Sequence, residues 1–135
     1  MITGGTSNHM VCIGLQNKGI HGGIYEHILN KVNISSNKNT LRGDISALKP
    51  SGMRLGTPAM TTRGCKEEHF DKISEFLSRA VPITQEFDKF DKLIDFKKAV
   101  NKEFKNGHKD LKQLSKDVLE FSSKLDYHIP PQFLD

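Results

Sequence analysis

Pro50-Ser51-Gly52-Met53-Arg54-Leu55-Gly56-Thr57-Pro58-Ala59 is the stretch on which the reading of this chain turns. Met53, Arg54, Leu55 and Gly56 alternate as a strand does, and Pro58, with no N–H to give a ladder, stops it. The preceding residues, 40–52, carry Gly43, Asp44, Pro50 and Gly52, the signature of a loop. An arginine between two apolar residues of a strand calls for a partner. If the strand is buried, the guanidinium must meet an anion, because an unpaired buried charge is very costly. Its planar fork suits a carboxylate, which it grips through two parallel bonds. Gly52 and Gly56 let a ligand or another backbone come close. On these residues alone two readings stay open for Arg54: a structural salt bridge to an internal Asp or Glu, or a clamp on a bound ligand's carboxylate.

Upstream, Met10-Val11-Cys12-Ile13-Gly14-Leu15 is a short apolar run consistent with a buried strand. Lys18-Gly19 marks a turn. Ile24, Ile28, Leu29 and Val32 recur at helical spacing after Gly22-Gly23, which predicts a helix over 23–32. Ile34 to Asn39 reads as a short strand or extended loop. The polar run Ser35-Ser36-Asn37-Lys38-Asn39-Thr40 is either a loop whose amides bind a ligand or an Asx-type turn or helix C-cap. Thr3-Gly4-Gly5-Thr6-Ser7-Asn8-His9 lacks the spacing of a phosphate loop and no helix follows it, so a turn entering the strand at Met10 is expected.

The composition changes near Gly64. Ten of the eleven glycines lie in residues 1–64 and seven of the eight phenylalanines in 65–128, so strands and loops give way to helices. Thr62 is placed to cap the first helix, and Lys66-Glu67-Glu68 puts acids in its first turn, where the macrodipole favours them. Phe70, Ile73, Phe76, Leu77, Ala80, Val81 and Thr84 follow at spacings of three and four, with Pro82 predicting a kink near Ser78–Arg79 rather than an end. Phe87, Phe90, Ile94 and Phe96 continue the helical pattern to about Phe104, where Asn106-Gly107 breaks it. Leu111, Leu114, Val118, Leu119, Phe121 and Leu125 define a last amphipathic helix, ended by Ile129-Pro130-Pro131.

The 135 residues make one ordinary domain, with no run of 18 apolar residues to span a membrane and no leader-like N-terminus. Cys12 and Cys65 have neither disulfide-framework nor metal spacing, and the six histidines suggest no zinc site. Residues 1–64 hold seven Lys or Arg against two acids, and 65–135 hold thirteen against fourteen. The surplus is too dispersed to favour nucleic acid, and Tyr25 is the only aromatic residue before Phe70, so stacking platforms are missing. No nucleophile–base arrangement stands out. From the residues alone this is an α+β domain with a candidate anion site at Arg54 and no visible catalytic engine.

Three segments together carry a resemblance. Thr3-Gly4-Gly5-Thr6-Ser7-Asn8-His9, Asn37-Lys38-Asn39-Thr40, and Pro50-Ser51-Gly52-Met53-Arg54-Leu55-Gly56-Thr57-Pro58-Ala59-Met60-Thr61-Thr62-Arg63-Gly64 fall in the order and spacing seen in serine hydroxymethyltransferases. The likeness extends more weakly to Pro130-Pro131, so it covers essentially all of the chain, 1–135, as a single domain. It implies the C-terminal small domain of a fold-type-I, pyridoxal phosphate-dependent transferase, a small antiparallel sheet packed with helices. The family interconverts serine and glycine and passes a one-carbon unit to and from tetrahydrofolate. By resemblance, Arg54 binds the amino acid's carboxylate, Asn39 contributes to the folate site, and Arg63 supports the site structurally. The family usually has Asp where this chain has Ser7, which loosens the turn before the strand.

The family's cofactor lysine sits in a Thr-rich segment followed by His-Lys, and no such segment occurs in these residues. Pyridoxal phosphate is therefore expected in the parent enzyme, a homodimer or homotetramer, and not on this chain, which alone should be inactive. Cytoplasmic placement is expected, with mitochondrion or plastid left open because targeting information would lie upstream. The alternative is a stand-alone, non-catalytic module that binds an amino acid or a folate.

Overall fold

A computed structural model describes residues 1–46, 49–87 and 92–125. Three strands form one antiparallel sheet in the order β1-β3-β2: β1 Met10–Gly14, β2 Asn37–Asn39 and β3 Gly52–Gly56. The strand read first in the sequence, β3, is thus the central one. A single 3-10 turn, Gln16–Lys18, closes on Gly19, whose φ of 64° is a left-handed conformation that glycine adopts without strain. Helix α1, Gly22–Lys31, crosses from β1 toward β2 and buries Ile24, Tyr25, Ile28 and Leu29 against the sheet's inner residue Met53 and the later helices. The short helix α2, Pro58–Thr62, leads to α3, Glu67–Phe87, then α4, Leu93–Asn106, and α5, Lys109–Ser123. This is the α+β class that the change in composition predicts, and the small antiparallel sheet packed with helices is what the resemblance implies.

Local signals explain where most elements begin and end. His21 caps α1 by accepting a hydrogen bond from the Gly23 N–H at 2.9 Å, and His108 caps α5 by accepting one from the Leu111 N–H at 3.3 Å. Gly107, with φ 92°, ends α4 at the break read from Asn106-Gly107. Pro82 lies inside α3 and does not end it. Pro82 and Ser78 are both exposed, so water can reach the carbonyl that the proline leaves without its N–H donor. Two expectations are corrected. Pro58 does more than stop β3: it opens α2 at a position where a missing N–H costs nothing. Thr62 ends α2 and does not cap α3. There His69 takes part in the capping, its Nδ1 accepting the Lys66 N–H at 3.1 Å.

The helical pattern read as continuous from Phe87 to Phe104 is also corrected, because α3 stops at Phe87 and a separate helix starts at Leu93 from an extended Lys92. The reason is a ring contact. Phe87 and Phe96 meet edge to face, with centroids 6.3 Å apart and planes at 89°. Nine residues along one helix would set them about 13.5 Å apart on opposite faces, so the contact requires the chain to double back. Phe90 and Ile129-Pro130-Pro131 lie outside the described residues.

The helices close over one core of Phe76, Ala80, Ile83, Phe96, Val100, Leu111 and Leu114 beneath α1. Tyr25 donates its buried hydroxyl to the Leu77 carbonyl at 2.6 Å, and burial raises its pKa well above the usual phenol range. Arg79 of α3 pairs with Asp117 of α5 at 2.6 Å.

One close approach fixes how α1 meets the sheet. The Gly22 N–H donates to the Pro50 carbonyl at 2.7 Å, and a Cβ on Gly22 would sit 2.8 and 2.9 Å from the carbonyl oxygens of Pro50 and Gly52. A helical Gly→Ala change that fits without strain stabilises by about 0.4–1 kcal/mol. Here the obstructing atoms are backbone, so Gly22→Ala should instead destabilise by about 1–3 kcal/mol. A lower denaturant midpoint at unchanged slope would show it, and a raised midpoint would contradict the packing.

Candidate functional site: the open face of the sheet

Alternation along β3 sends its side chains to two faces. Met53 is buried at 0% exposure, whereas Arg54 between it and Leu55 is exposed. Register places Cys12 opposite Arg54 on one side and Asn37 on the other, with Met10 opposite Gly56 and both Gly14 and Asn39 opposite Gly52. These residues share the outer face, while α1 covers the inner one. The condition under which Arg54 would need an internal partner is therefore not met. The guanidinium stands on the open face, and among the described residues no carboxylate lies within ion-pair distance of it.

Asn39 lies diagonal to Arg54 on the neighbouring strand, a separation of about 7–8 Å between backbone positions. It is in strand and belongs to neither an Asx turn nor a helix cap, since α1 closes at Val32. Its side-chain amide donates to the Thr40 carbonyl at 2.9 Å. The edge strand that carries it is fastened to α1 by Glu26, whose carboxylate accepts the Lys38 N–H at 3.1 Å and the Lys38 ammonium at 2.7 Å. Partial burial pushes the Glu26 carboxyl up. The hydrogen bonds and charge of Lys38 outweigh that and hold it below the usual carboxylate range.

The far end of the open face is closed by aliphatic side chains lying over glycines. Ile2 Cδ1 sits 2.6 Å from where a Gly14 Cβ would be, and Leu41 carbons sit 2.8 Å from a Gly52 Cβ. Neither side chain could lie there over any larger residue. The loop behind Leu41 is organised by Asp44. Its carboxylate accepts the backbone N–H groups of Leu41 at 2.8 Å and Ser51 at 2.9 Å, the Ser51 hydroxyl, and the Gln16 side-chain amide at 3.4 Å. The Leu41 and Ser51 hydrogen bonds lower its pKa to about 2, so it is ionised at any physiological pH. Because that value lies below the unfolded one, its contribution to stability is present above pH about 4 and is lost as the pH falls toward 2. Sequence reading took Asp44 only as a loop residue.

Arg63 stands at the end of α2. Its Nη2 donates to the Ser122 carbonyl in the last turn of α5 at 2.9 Å, where a cation also suits the helix dipole. The Thr3–His9 segment is the turn that the sequence suggests. The Thr6 hydroxyl donates to the Met10 carbonyl at 2.8 Å, and the Met10 N–H donates to Asn8 Oδ1 at 2.9 Å. Ser7 is not among the residues that close it.

Chemically, the face offers a planar cation on a flat shelf, an amide beside it and an aliphatic wall. It can hold and orient a carboxylate. It offers no amine, because Lys38, the one lysine in the strands, turns to the inner face and pairs with Glu26. This face therefore presents no lysine to anchor pyridoxal phosphate. No group of three His, Cys, Asp or Glu among them could hold a metal, and no described helix is long and apolar enough to cross a membrane.

The family model of serine hydroxymethyltransferase matches residues 1–77. A serine hydroxymethyltransferase of Caenorhabditis briggsae is 43% identical over 130 residues, covering 93% of this chain and 25% of the relative. One from Bombyx mori is 48% identical over 115 residues, covering 82% of the chain and 25% of the relative. A mitochondrial one from Candida glabrata is 52% identical over 84 residues, covering 62% and 17%. The chain thus spans about a quarter of the length of the first two of these relatives. Further relatives carry names that place them in the mitochondrion or the cytosol.

Proposed function

The chain belongs to the serine hydroxymethyltransferase family, and on that premise we propose that residues 1–135 are a single domain, the C-terminal small domain of a fold-type-I enzyme that interconverts serine and glycine. The one-carbon unit passes to and from tetrahydrofolate. Arg54 takes the amino acid's carboxylate, Asn39 forms part of the folate wall, and Arg63 supports the site by holding α2 to α5. The observation that carries this reading is the position of Arg54: exposed, central in the sheet, without a described carboxylate partner, and diagonal to Asn39.

A guanidinium so placed grips a carboxylate through two parallel N–H bonds and fixes the rotation of the substrate about its Cα. Orientation is its contribution, and it moves no proton. The glycines beside it let the substrate lie against backbone. Pyridoxal phosphate supplies the carbanion-stabilising chemistry and is held by the rest of the parent polypeptide, which assembles as a homodimer or homotetramer. The parent works in the cytoplasm or the mitochondrion, as relatives with those names do.

The test compares two proteins. The parent polypeptide, purified with pyridoxal phosphate, should convert serine to glycine only when tetrahydrofolate is supplied. Residues 1–135 alone should show no turnover under the same conditions. A parent without that activity would overturn the assignment, and turnover by the isolated chain would overturn the division of labour.

A further inference from the structure

We propose that Asp44 is a positioning residue for the Arg54–Asn39 face, a single carboxylate that ties together one end of all three strands. The inference rests on the reading of that face as the amino acid and folate site.

The donors to Asp44 come from each strand in turn. Gln16 lies two residues beyond the end of β1, Leu41 two residues beyond the end of β2, and Ser51 immediately before β3. Because β3 runs antiparallel to both neighbours, these three points lie at the same edge of the sheet. The Asp44 N–H returns a bond to the Leu41 carbonyl at 3.1 Å, and the Ser51 carbonyl accepts the Leu15 N–H at 2.8 Å, so the knot is closed on both sides. Leu41, held in this way, lays its side chain over Gly14 and Gly52, the row of the outer face next to Cys12, Arg54 and Asn37.

The strand most in need of such a knot is β2. It has three residues and lies at the edge of the sheet, so its own ladder specifies register weakly. A slip of one residue would turn Asn39 to the inner face, and a slip of two would move it by a whole residue pair. The Glu26–Lys38 pair holds β2 against α1, and Asp44 joins its exit to the start of β3 through hydrogen bonds from Leu41 and Ser51. Arg54 and Asn39 contact different substrates in the proposed reaction. A loosened knot should therefore weaken both substrates together, which the loss of either side chain alone would not do.

Asp44→Asn keeps the size of the side chain but turns an NH2 toward N–H or O–H donors. In the parent enzyme it should raise KM for serine and for tetrahydrofolate, each by about tenfold, and change kcat by less than about threefold, as expected when binding common to the ground and transition states is weakened. Ser51→Ala removes one donor and should raise both KM values by about two- to threefold, which keeps the question open to answer if Asp44→Asn fails to fold. A purely structural role would lower the fraction of active enzyme and leave both KM values alone, and that result in both variants would overturn the proposal. Arg54→Lys is the control. If it raises KM for serine while Asp44→Asn and Ser51→Ala do not, positioning by Asp44 is wrong and the site stands. If Arg54→Lys leaves KM for serine unchanged, the site reading falls and the role of Asp44 with it.

Discussion

Replacing Arg54 with alanine in the parent enzyme should raise KM for serine and glycine by about 30- to 4000-fold while barely changing the stability of the domain. The first figure follows from the loss of a charge-assisted, bidentate pair, on the order of 2–5 kcal/mol, at about 1.4 kcal/mol per factor of ten. The second follows from exposure. The side chain stands on the outer face of β3 without an ion pair to any described residue, and substitutions at such places usually shift stability by no more than about 0.5 kcal/mol. Arg54→Lys should fall between alanine and the native residue, because an ammonium keeps the charge but not the planar fork. Steady-state kinetics and a thermal melt on the same preparations check both halves. A near-normal KM for serine in the alanine variant would refute the clamp. A large drop in melting temperature would mean that Arg54 holds the fold together instead.

What could be read from the sequence depended on how local the cause was. The strand at 53–56 and the one at 10–15 declared themselves through apolar alternation and short apolar runs, but their pairing was not in the sequence. Helices α1 and α5 were visible as periodic apolar faces, because a 3.6-residue repeat is a property of consecutive residues. The break between α3 and α4 was not visible, since apolar residues on both sides of it kept a helical spacing. It is the Phe87–Phe96 ring contact, a tertiary fact, that shows the chain turning back. Arg54 stood out in the sequence, but its exposure did not. An arginine between two apolar residues suggests burial, whereas β3, although central, has one covered face and one open face, so Met53 is buried, Leu55 half-buried and Arg54 exposed. Asn39 could be brought beside Arg54 only by register, which is set by partners far along the chain. Asp44 was hidden for the same reason. Its donors at Gln16, Leu41 and Ser51 are spread over 36 positions, and no local pattern marks a carboxylate that serves three strand ends at once.

Phe96→Ala should have the opposite profile to Arg54→Ala, a large loss of stability with little change in how a folded molecule binds substrate. Phe96 is at 0% exposure and is the ring on which α4 docks. It meets His27 of α1 at 5.8 Å between centroids and Phe87 at the end of α3 at 6.3 Å, both edge to face. Truncating a buried phenylalanine costs about 3–5 kcal/mol, the transfer of the ring plus the cavity it leaves. For a domain of this size the melting temperature should fall by roughly 10–20 °C. His27 bears on how far the site can relax. Burial, with the charges of Lys31 and Lys97, keeps its pKa below the ordinary value, so in the native state the ring is neutral near pH 7 and packs as an aromatic face. Opening the Phe96 pocket would let water reach it and raise that pKa toward the unfolded one. The loss should therefore be smaller below pH 6 than at pH 7.5, because the native state of the variant no longer resists protonation as the parent's does. Amide exchange should quicken first in α4 and along the α1 face it covers. Unchanged exchange in α4, or a fall in melting temperature of less than about 3 °C, would mean that α4 is held to the domain by something other than this ring.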